Sequence, residues 1–332
     1  LDVGHGNCAI AQGDEDVFII DCAPGAVLVD TLNKIGIKDV THVLLSHADE
    51  DHIGGVITLL LEKRVHNVYL NPDAVKRTAI WQDMRSALAE ARRSGQTVVH
   101  PSLTTNDNGK FGCRQLVLRI LAPHPEDALG GVGGQDIEGH KQGHNTMSVV
   151  IKVIYGSRPV ALLTGDLDQV GVEHLQREGE DLRAEVLVFP HHGGTPGGAN
   201  PKEFAESLCN AVNPEIVVFS IGRAKKGFPR IEIVNGVKQS SPSSHIACTQ
   251  LSKGCAAVEP ESSFKHLNVL PARGKLTNSC CSGTIVIELI EGEDSYRAFI
   301  KGHSEFVSSE VPTPMCAESD TTAETISAAD AT

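Results

Sequence analysis

Between Leu44 and Gly55 the chain reads LLSHADEDHIGG, placing His47, Asp49, Asp51 and His52 within six residues. Imidazole and carboxylate are the donors expected around Zn²⁺, Mn²⁺ or Fe. An apolar run leads into the group and a glycine pair follows it, so the side chains sit on a turn between a strand and a helix. Alternate residues of such a turn can aim at one point. His47 and Asp49 can serve one ion, and Asp51 and His52 then turn toward a second. The bland alternative is a solvated acidic loop, but such loops seldom hold two histidines behind an apolar strand.

A site for two ions needs further ligands from other strand ends. GHNTMSVV supplies His144 just before an apolar strand, LLTGDL supplies Asp166 just after one, and FPHHGG supplies His191 and His192 after another. Each alone is weak, because a lone histidine is more often a satisfied polar residue and Gly-Asp is common in turns. Their order and their placement at strand ends make the joint case.

The elements that must deliver these residues are legible as apolar runs. CAIAQG and VFIID read as a hairpin, and VTHVLLS and VHNVYL as strands. VITLLLEK, after Gly54-Gly55, reads as a helix. Pro72-Asp73 open a second helix whose face of Ile80, Trp81, Met84, Leu88 and Ala91 belongs to the core. RQLVLRILAP and SVVIKVIY are strands, separated by a glycine-rich loop from Pro123 to Gly143 that is long enough to be functional. VALLTGDL, AEVLVFPHHGG and EIVVFSIG are strands ending in polar residues, which sets a site along one sheet edge. GTIVIELI and SYRAFIKG read as a final hairpin. The tail over 304–332, rich in Ser, Thr, Ala and acids and without Lys or Arg, reads as disordered.

The 332 residues are 40% hydrophobic, enough core for one large domain or two ordinary ones, and show no solenoid repeat. A net charge of −13 argues against a generic nucleic-acid coat protein. A nuclease stays compatible, because ligand carboxylates raise the acid count. No apolar run approaches membrane-spanning length and no signal peptide is visible. The nine cysteines are an odd number, and Cys8, Cys22, Cys113, Cys209 and Cys316 stand singly. That usage implies a reducing compartment and a cytoplasmic location.

The order H-x-[HD]-x-D-H, then His, Gly-Asp and His resembles the metallo-β-lactamase family from about Leu1 to Gly302. Within that family it resembles the metallo-hydrolase domain of ComEC-type competence proteins, which take up DNA. DVGHGNCAI looks like that branch's D-V-G-x-G-[DN] start, and SHADEDHIGG like its S-H-x-D-x-D-H-x-G-G. NTMSVVI, LLTGDL and VFPHHGG look like its N-x-x-S strand, Gly-Asp and P-H-H-G. FSIG followed by GFPR resembles its S-x-G…H-P segment, with Phe228 in place of the usual His. The resemblance implies an α/β fold, a four-layer αβ/βα sandwich over 1–303, with a Cys-containing insertion near 236–281. It implies two divalent ions, Zn or Mn. His47, Asp49 and His144 would hold one; Asp51, His52 and one of His191 or His192 would hold the other, with Asp166 bridging. Asp49 stands where histidine is more usual, a harder donor that tilts preference toward Mn²⁺. His144 stands where the wider family has its third histidine and the competence branch often has Asn.

The implied activity is metal-dependent hydrolysis, with a phosphodiesterase or nuclease as the leading reading. Two divalent ions about 3.5–4 Å apart supply a hydroxide nucleophile at neutral pH. Asp51 is a candidate both to ligate and to orient the nucleophile. Whichever of His191 and His192 does not bind metal is the candidate to protonate the leaving group. Asn145, Gly193, Gly194 and Ser220 are candidate phosphate contacts, joined by Arg223, Lys225 and Lys226 from the basic group after FSIG. Lys76, Arg77, Arg85, Arg92 and Arg93 around the long helix are a second basic group that supports a nucleic-acid substrate. The bland alternative, and the more common fate of such charges, is a solvated helix face. The alternatives are a small-molecule ester hydrolase of phosphocholine esterase or lactonase type, and a metal-holding binding or signalling module. The partner is accordingly nucleic acid or a small phosphodiester or ester. Asp21 reads as a hydrogen-bonding support and His5 as facing the cleft. His140 competes with His144, and His42, His66, His100, His174 and His303 read as structural. Cys248, Cys255, Cys280 and Cys281, with His245 and His266 nearby, are a candidate structural zinc set, although C-x₆-C…C-C is not a standard knuckle.

Overall fold

Strands that are apolar on both faces need cover on both sides, and two such sheets lie face to face here. The computed structural model describes residues 1–73, 76–225, 227–260, 264–290 and 296–317. Strands β1 (Ala9–Gln12), β2 (Val17–Ile20), β3 (Asp39–Leu44), β4 (Arg64–Tyr69) and β5 (Val98–His100) form the first sheet in that order. The β1–β2 pair is the expected antiparallel hairpin, and β2 through β5 run parallel. The second sheet takes β6 (Gly112–Cys113), β7 (Leu116–Ala122), β8 (Val150–Tyr155), β9 (Arg158–Leu163), β10 (Val186–Val188), β11 (Ile216–Phe219) and β12 (His245–Cys248), stacked in sequence order. Its β6–β9 half is antiparallel, and its β9–β12 half is parallel.

The period of two along each strand divides the apolar side chains between layers. Phe18, Ile20 and Leu44 point between the sheets and meet Leu118, Ile120, Ile151 and Val153. Ile19 and Val43 point outward to helices α1 (Val27–Lys34), α2 (Glu50–Ile53), α3 (Val56–Glu62) and α4 (Ala79–Arg93), through Leu32, Ile53, Leu59, Trp81 and Met84. After α5 (Pro125–Gly130) in the glycine-rich loop, helices α6 (Gln169–Arg177), α7 (Pro201–Val212) and α8 (Ile231–Ser240) cover the outer face of the second sheet. Val172, Phe204, Leu208 and Val237 meet Leu162, Leu187, Val217 and Phe219 there. The layers are the expected αβ/βα sandwich. Each fully buried side chain of this kind contributes about 1.5–3 kcal/mol by leaving water.

Three expectations are corrected. The second helix does not open at Pro72-Asp73. Asn71 Oδ1 accepts the Asp73 N–H at 2.6 Å, an Asx turn that diverts the backbone, and α4 begins only at Ala79. His245–Cys248, within the expected insertion, is the edge strand of the second sheet. The irregular segment begins after it, at Thr249, includes the short α9 (Arg273–Leu276), and is tied back by the Gln250–Cys280 bridge. Among the described residues no final hairpin forms. Ile287 and Leu289 pack between the sheets and Ile285 against Val186, Ile216 and Val218, without a ladder, and α10 (Arg297–Glu310) follows. Phe299, His303, Phe306 and Val307 recur at helical spacing, a period visible only when the window is carried past Gly302. His303, Phe306 and Val307 are buried, so 304–310 is folded chain; 318–332 lies outside the described residues.

Candidate metal centre

The site forms where strand ends from both sheets converge. Beyond β3, Leu45 N–H still donates to the Tyr69 carbonyl. The Ser46 carbonyl then accepts from Val149 N–H of the second sheet at 2.9 Å and from Asn71 Nδ2 at 2.5 Å. Asn71 Nδ2 also donates to the Met147 carbonyl, so one amide ties the two sheets beside the motif. Gly165 (φ 54°) makes the approach possible, because a Cβ there would lie 2.8 Å from Ser46 Cβ. The backbone of Asp166 is thereby brought against the His47 turn. On the other side a Cβ on Gly6 would lie 2.4 Å from the Asp51 carbonyl oxygen, and Asn7 N–H donates to that same oxygen.

His192 is aimed by its backbone. His191 and His192 have φ of 51° and 56°, in the left-handed region that non-glycine residues rarely adopt, and such strain gathers at functional sites. The turn directs His192 Nδ1 to the Ser220 carbonyl at 2.7 Å, which fixes the tautomer and presents Nε2 to the cleft. His52 is treated likewise by Asp21, whose Oδ2 lies 2.7 Å from His52 Nδ1.

The consequence is a convergence of nitrogen and oxygen donors. His52 Nε2 lies 3.2 Å from Asp166 Oδ1, His192 Nε2 lies 3.6 Å from the same oxygen, and 3.3 Å separates His192 Nε2 from Asp51 Oδ2. One ligand atom from each of Asp51, His52, Asp166 and His192 falls within 4.8 Å of all the others. His52 Nε2, His192 Nε2 and Asp166 Oδ1 are buried without an aligned hydrogen bond, as is His47 Nε2. Buried polar atoms are normally satisfied, and a divalent cation held by Asp51, His52, Asp166 and His192 would satisfy the first three. The donor set fits the metal that the resemblance implies.

Electrostatics report the same crowding. Burial works against ionisation of Asp166, but His52 and His192 outweigh it and hold the carboxyl well below the usual carboxylate range. Burial also opposes ionisation of Asp51, yet His192 and His52 bring it down to about 2. Burial would lower His52, and the Asp166 and Asp21 carboxylates instead raise it well above its ordinary value. His5 faces the cleft as expected. Its ring centroid is 4.3 Å from that of His192 and its Nε2 4.0 Å from Asp51; burial and then His192 push its pKa down to about 4.

The first expected ligand set is not closed. His47 Nε2 is 3.5 Å from Asp49 Oδ2 and 3.7 Å from Asp166 Oδ2. His144 instead turns Nδ1 to the Asp73 carboxylate at 2.7 Å, and among the described residues its ring nitrogens are not within ion-pair distance of Asp49 or Asp166. Asn145 Nδ2 reaches His191 Nδ1 at 2.9 Å. His191 itself is half-buried, 3.9 Å from Asp166 Oδ2, at the rim. Lys76, read from sequence as part of a solvated face, pairs its ammonium with Asp49 Oδ1. His47 and then Lys76 hold the Asp49 carboxyl below the ordinary range, against burial. Asn71, Asp73 and Lys76 follow β4, and the same strand-end rule applied to VHNVYL would have found them.

Several expected substrate contacts are committed elsewhere. Arg223 is buried; Nε meets Glu259 at 2.6 Å and the guanidinium donates to the Leu251, Ala256 and Ala257 carbonyls, so it clamps the irregular segment. The Ser220 hydroxyl donates to the Gly6 carbonyl, and the Ser220 carbonyl accepts from His192 Nδ1. Gly194 N–H closes the turn onto the His191 carbonyl, and a Cβ on Gly193 would meet Phe219 and Pro229. The glycines therefore serve a tight turn. Lys225 remains near enough for its charge to act on His5, and Lys226 lies outside the described residues. His140 faces Asp136, away from the centre, as does His174. His42 stacks on Phe18, His66 meets Asp39, and His100 meets Asn67.

The cysteine set is corrected too. Cys280 Sγ turns to Asp2 at 3.7 Å, while Cys281 Sγ turns to His303 Nε2 at 3.2 Å. Adjacent residues thus diverge, and among the described residues no three ligand atoms gather there. Burial holds the Cys248 and Cys281 thiols well above their ordinary pKa, which marks them as packed thiols. All described cysteines are free.

Against known proteins, the sequence model of the metallo-beta-lactamase superfamily matches residues 1–185. ComE operon protein 3 of Bacillus subtilis (strain 168) is 25% identical over 197 residues, 59% of this chain and 22% of that protein. Competence protein ComA of Neisseria gonorrhoeae is 26% identical over 234 residues, 67% of this chain and 26% of that protein. The chain thus spans about a quarter of the length of these relatives. Among solved structures it is similar to the metallo-beta-lactamase fold protein YhfI from Bacillus subtilis, with TM-score 0.45 and 13% identity over 74% of this chain and 88% of that one. Human tRNase Z, short form, has TM-score 0.38 and 13% identity over 65% and 85%.

Proposed function

This chain belongs to the metallo-beta-lactamase superfamily, and as a metal-dependent hydrolase of that superfamily we propose that it cleaves phosphodiesters, with nucleic acid as the substrate class. The observation that carries the reading is the convergence of Asp51, His52, Asp166 and His192, whose ligand atoms meet within 4.8 Å. These four residues would hold a divalent ion, Zn²⁺ or Mn²⁺. A bound ion of this kind supplies Lewis acidity and lowers the pKa of water at the site. Ser220 and Asp21 orient His192 and His52 through their Nδ1 atoms, which leaves both Nε2 atoms for ligation. His191, at the rim and steadied by Asn145, is the residue positioned to return a proton to the leaving group. His5 lies beside Asp51, with the Phe228 ring edge-on to it. Lys225 and Lys76 bring positive charge to the two flanks, where phosphate oxygens would lie. Likeness to the competence proteins supports nucleic acid as the substrate class.

A small-molecule ester hydrolase is the second reading. It is favoured by the net charge of −13 and by the commitment of Arg223 to the fold, which removes one cation from the expected basic patch. Metal-stripped protein reloaded with Mn²⁺ or Zn²⁺ would be incubated with single- and double-stranded DNA, RNA, a chromogenic phosphodiester and a chromogenic ester. The expected result is phosphodiester turnover that disappears in His52→Ala and Asp166→Ala, with nucleic-acid binding that weakens steeply as salt rises. Wild-type rates in either variant, or ester turnover alone, would refute it.

A further inference from the structure

The half-site around His47 is incomplete in a specific way. Among the described residues its third expected ligand, His144, pairs with Asp73 and not with Asp49 or Asp166, and one oxygen of Asp49 is taken by an ammonium group. The Lys76 side chain is 14% exposed although lysine is normally solvated, and it reaches the site from the segment just before α4. Lysine is a compact point charge on a flexible stem. Here it sits against a carboxylate beside His47, where a second divalent ion would have to sit. Like charges at contact distance repel strongly in a partly dry site, so an ion entering there must displace Lys76 from Asp49. The neighbouring half-site has no such competitor: its ligand atoms face one another, and no described lysine or arginine pairs with Asp51 or Asp166.

We infer that Lys76 supplies the positive charge of the His47–Asp49 half-site, so that the protein holds one divalent ion tightly at Asp51, His52, Asp166 and His192 and admits a second only by displacing this lysine. The inference rests on the reading that those four residues hold a divalent ion. It changes what the centre is: a one-metal site with a built-in organic cation, whose occupancy by a second ion depends on metal concentration.

The test is stoichiometry. Mn²⁺, and separately Zn²⁺, would be titrated into metal-stripped wild type, Lys76→Met and Lys76→Arg by calorimetry, with elemental analysis after equilibrium dialysis. Thermal melts would establish that each variant is folded, with Lys76→Gln as the substitute if Lys76→Met is not. Wild type and Lys76→Arg should each take one ion per chain tightly and a second at least about tenfold more weakly. In Lys76→Met the second ion should tighten by about tenfold or more while the first is unchanged. Two equal sites in wild type, or a second site in Lys76→Met no tighter than in wild type, would overturn the inference. Absence of any tight ion in wild type would overturn the metal reading with it. The expected stoichiometry without phosphodiester turnover would uphold Lys76 while removing the proposed substrate.

Discussion

Replacing Asp21 with asparagine changes one charge at the base of the metal centre and almost nothing in shape. Asp21 is 2% exposed and has φ 58°, a conformation that asparagine tolerates and alanine does not. Its Oδ1 accepts from Ser46 N–H, and its Oδ2 accepts from Ser46 Oγ and from His52 Nδ1, all at 2.7 Å. An asparagine can keep the Ser46 N–H bond through its oxygen. Its NH₂ then faces His52 Nδ1, and two outcomes remain. Either the ring flips tautomer so that Nδ1 accepts and Nε2 carries the proton, which is the wrong nitrogen for ligation, or two donors oppose each other in a dry site. A buried unsatisfied donor costs about 1–3 kcal/mol. Loss of an outer partner of a ligating histidine typically weakens metal binding by about 10–100-fold, or about 1.4–2.7 kcal/mol, so the two routes agree. The assay is competition of Asp21→Asn and wild type against a chromogenic chelator for Zn²⁺ or Mn²⁺, with calorimetry as the check. A dissociation constant within about threefold of wild type would refute the claim that Asp21 sets His52 for ligation.

Three further outcomes are expected. His192→Ala should weaken metal binding by more than the roughly 100-fold of an outer partner, whereas His191→Ala should retain the metal, as read by metal content after dialysis. Equal loss in both would refute the distinction drawn from the Ser220 contact. Arg223→Met strands the Leu251 and Ala256 carbonyls and should lower stability by about 3 kcal/mol in urea denaturation, with the affinity of the tight metal site kept. His303 is buried against His245 and Cys281, and burial, then His245 and His266, lower its pKa from 6.5 to about 3. The folded state therefore needs it neutral, and the unfolded chain takes up the proton first. Its contribution is complete above pH 6.5 and is lost as pH falls from there toward about 3, at roughly 1.4 kcal/mol per unit. Denaturation at pH 7 and pH 5 should show wild type losing about 2 kcal/mol more than His303→Gln; equal losses would contradict it.

Much of the centre was legible without coordinates because its parts are local. His47, Asp49, Asp51 and His52 lie on one strand-to-helix turn, and Asp166 and the His191-His192 pair each follow an apolar run. A period of two, then polar residues, then a helical period is written in consecutive side chains. The same locality explains the misreadings. GTIVIELI has a strand's alternation, but an alternating segment becomes a strand only if a partner's backbone is there to bond it. Pro72-Asp73 has a helix opening, but the Asn71 side chain captures that backbone first.

What the amino-acid order determined by itself is the inventory: the strands that lead into the centre, which donors stand at their ends, and that the donor types suit a divalent ion. The tertiary structure decided which of these donors meet. Ser220, 28 residues from His192, selects that histidine over His191. Asp73, 71 residues from His144, holds that ring at Nδ1, and Lys76, 27 residues from Asp49, occupies the carboxylate that was expected to hold metal. Arg223 looked like a phosphate contact until the irregular segment folded over it. Pairings of this kind depend on backbone approach across layers, such as Gly165 against Ser46, and no neighbour along the chain encodes them.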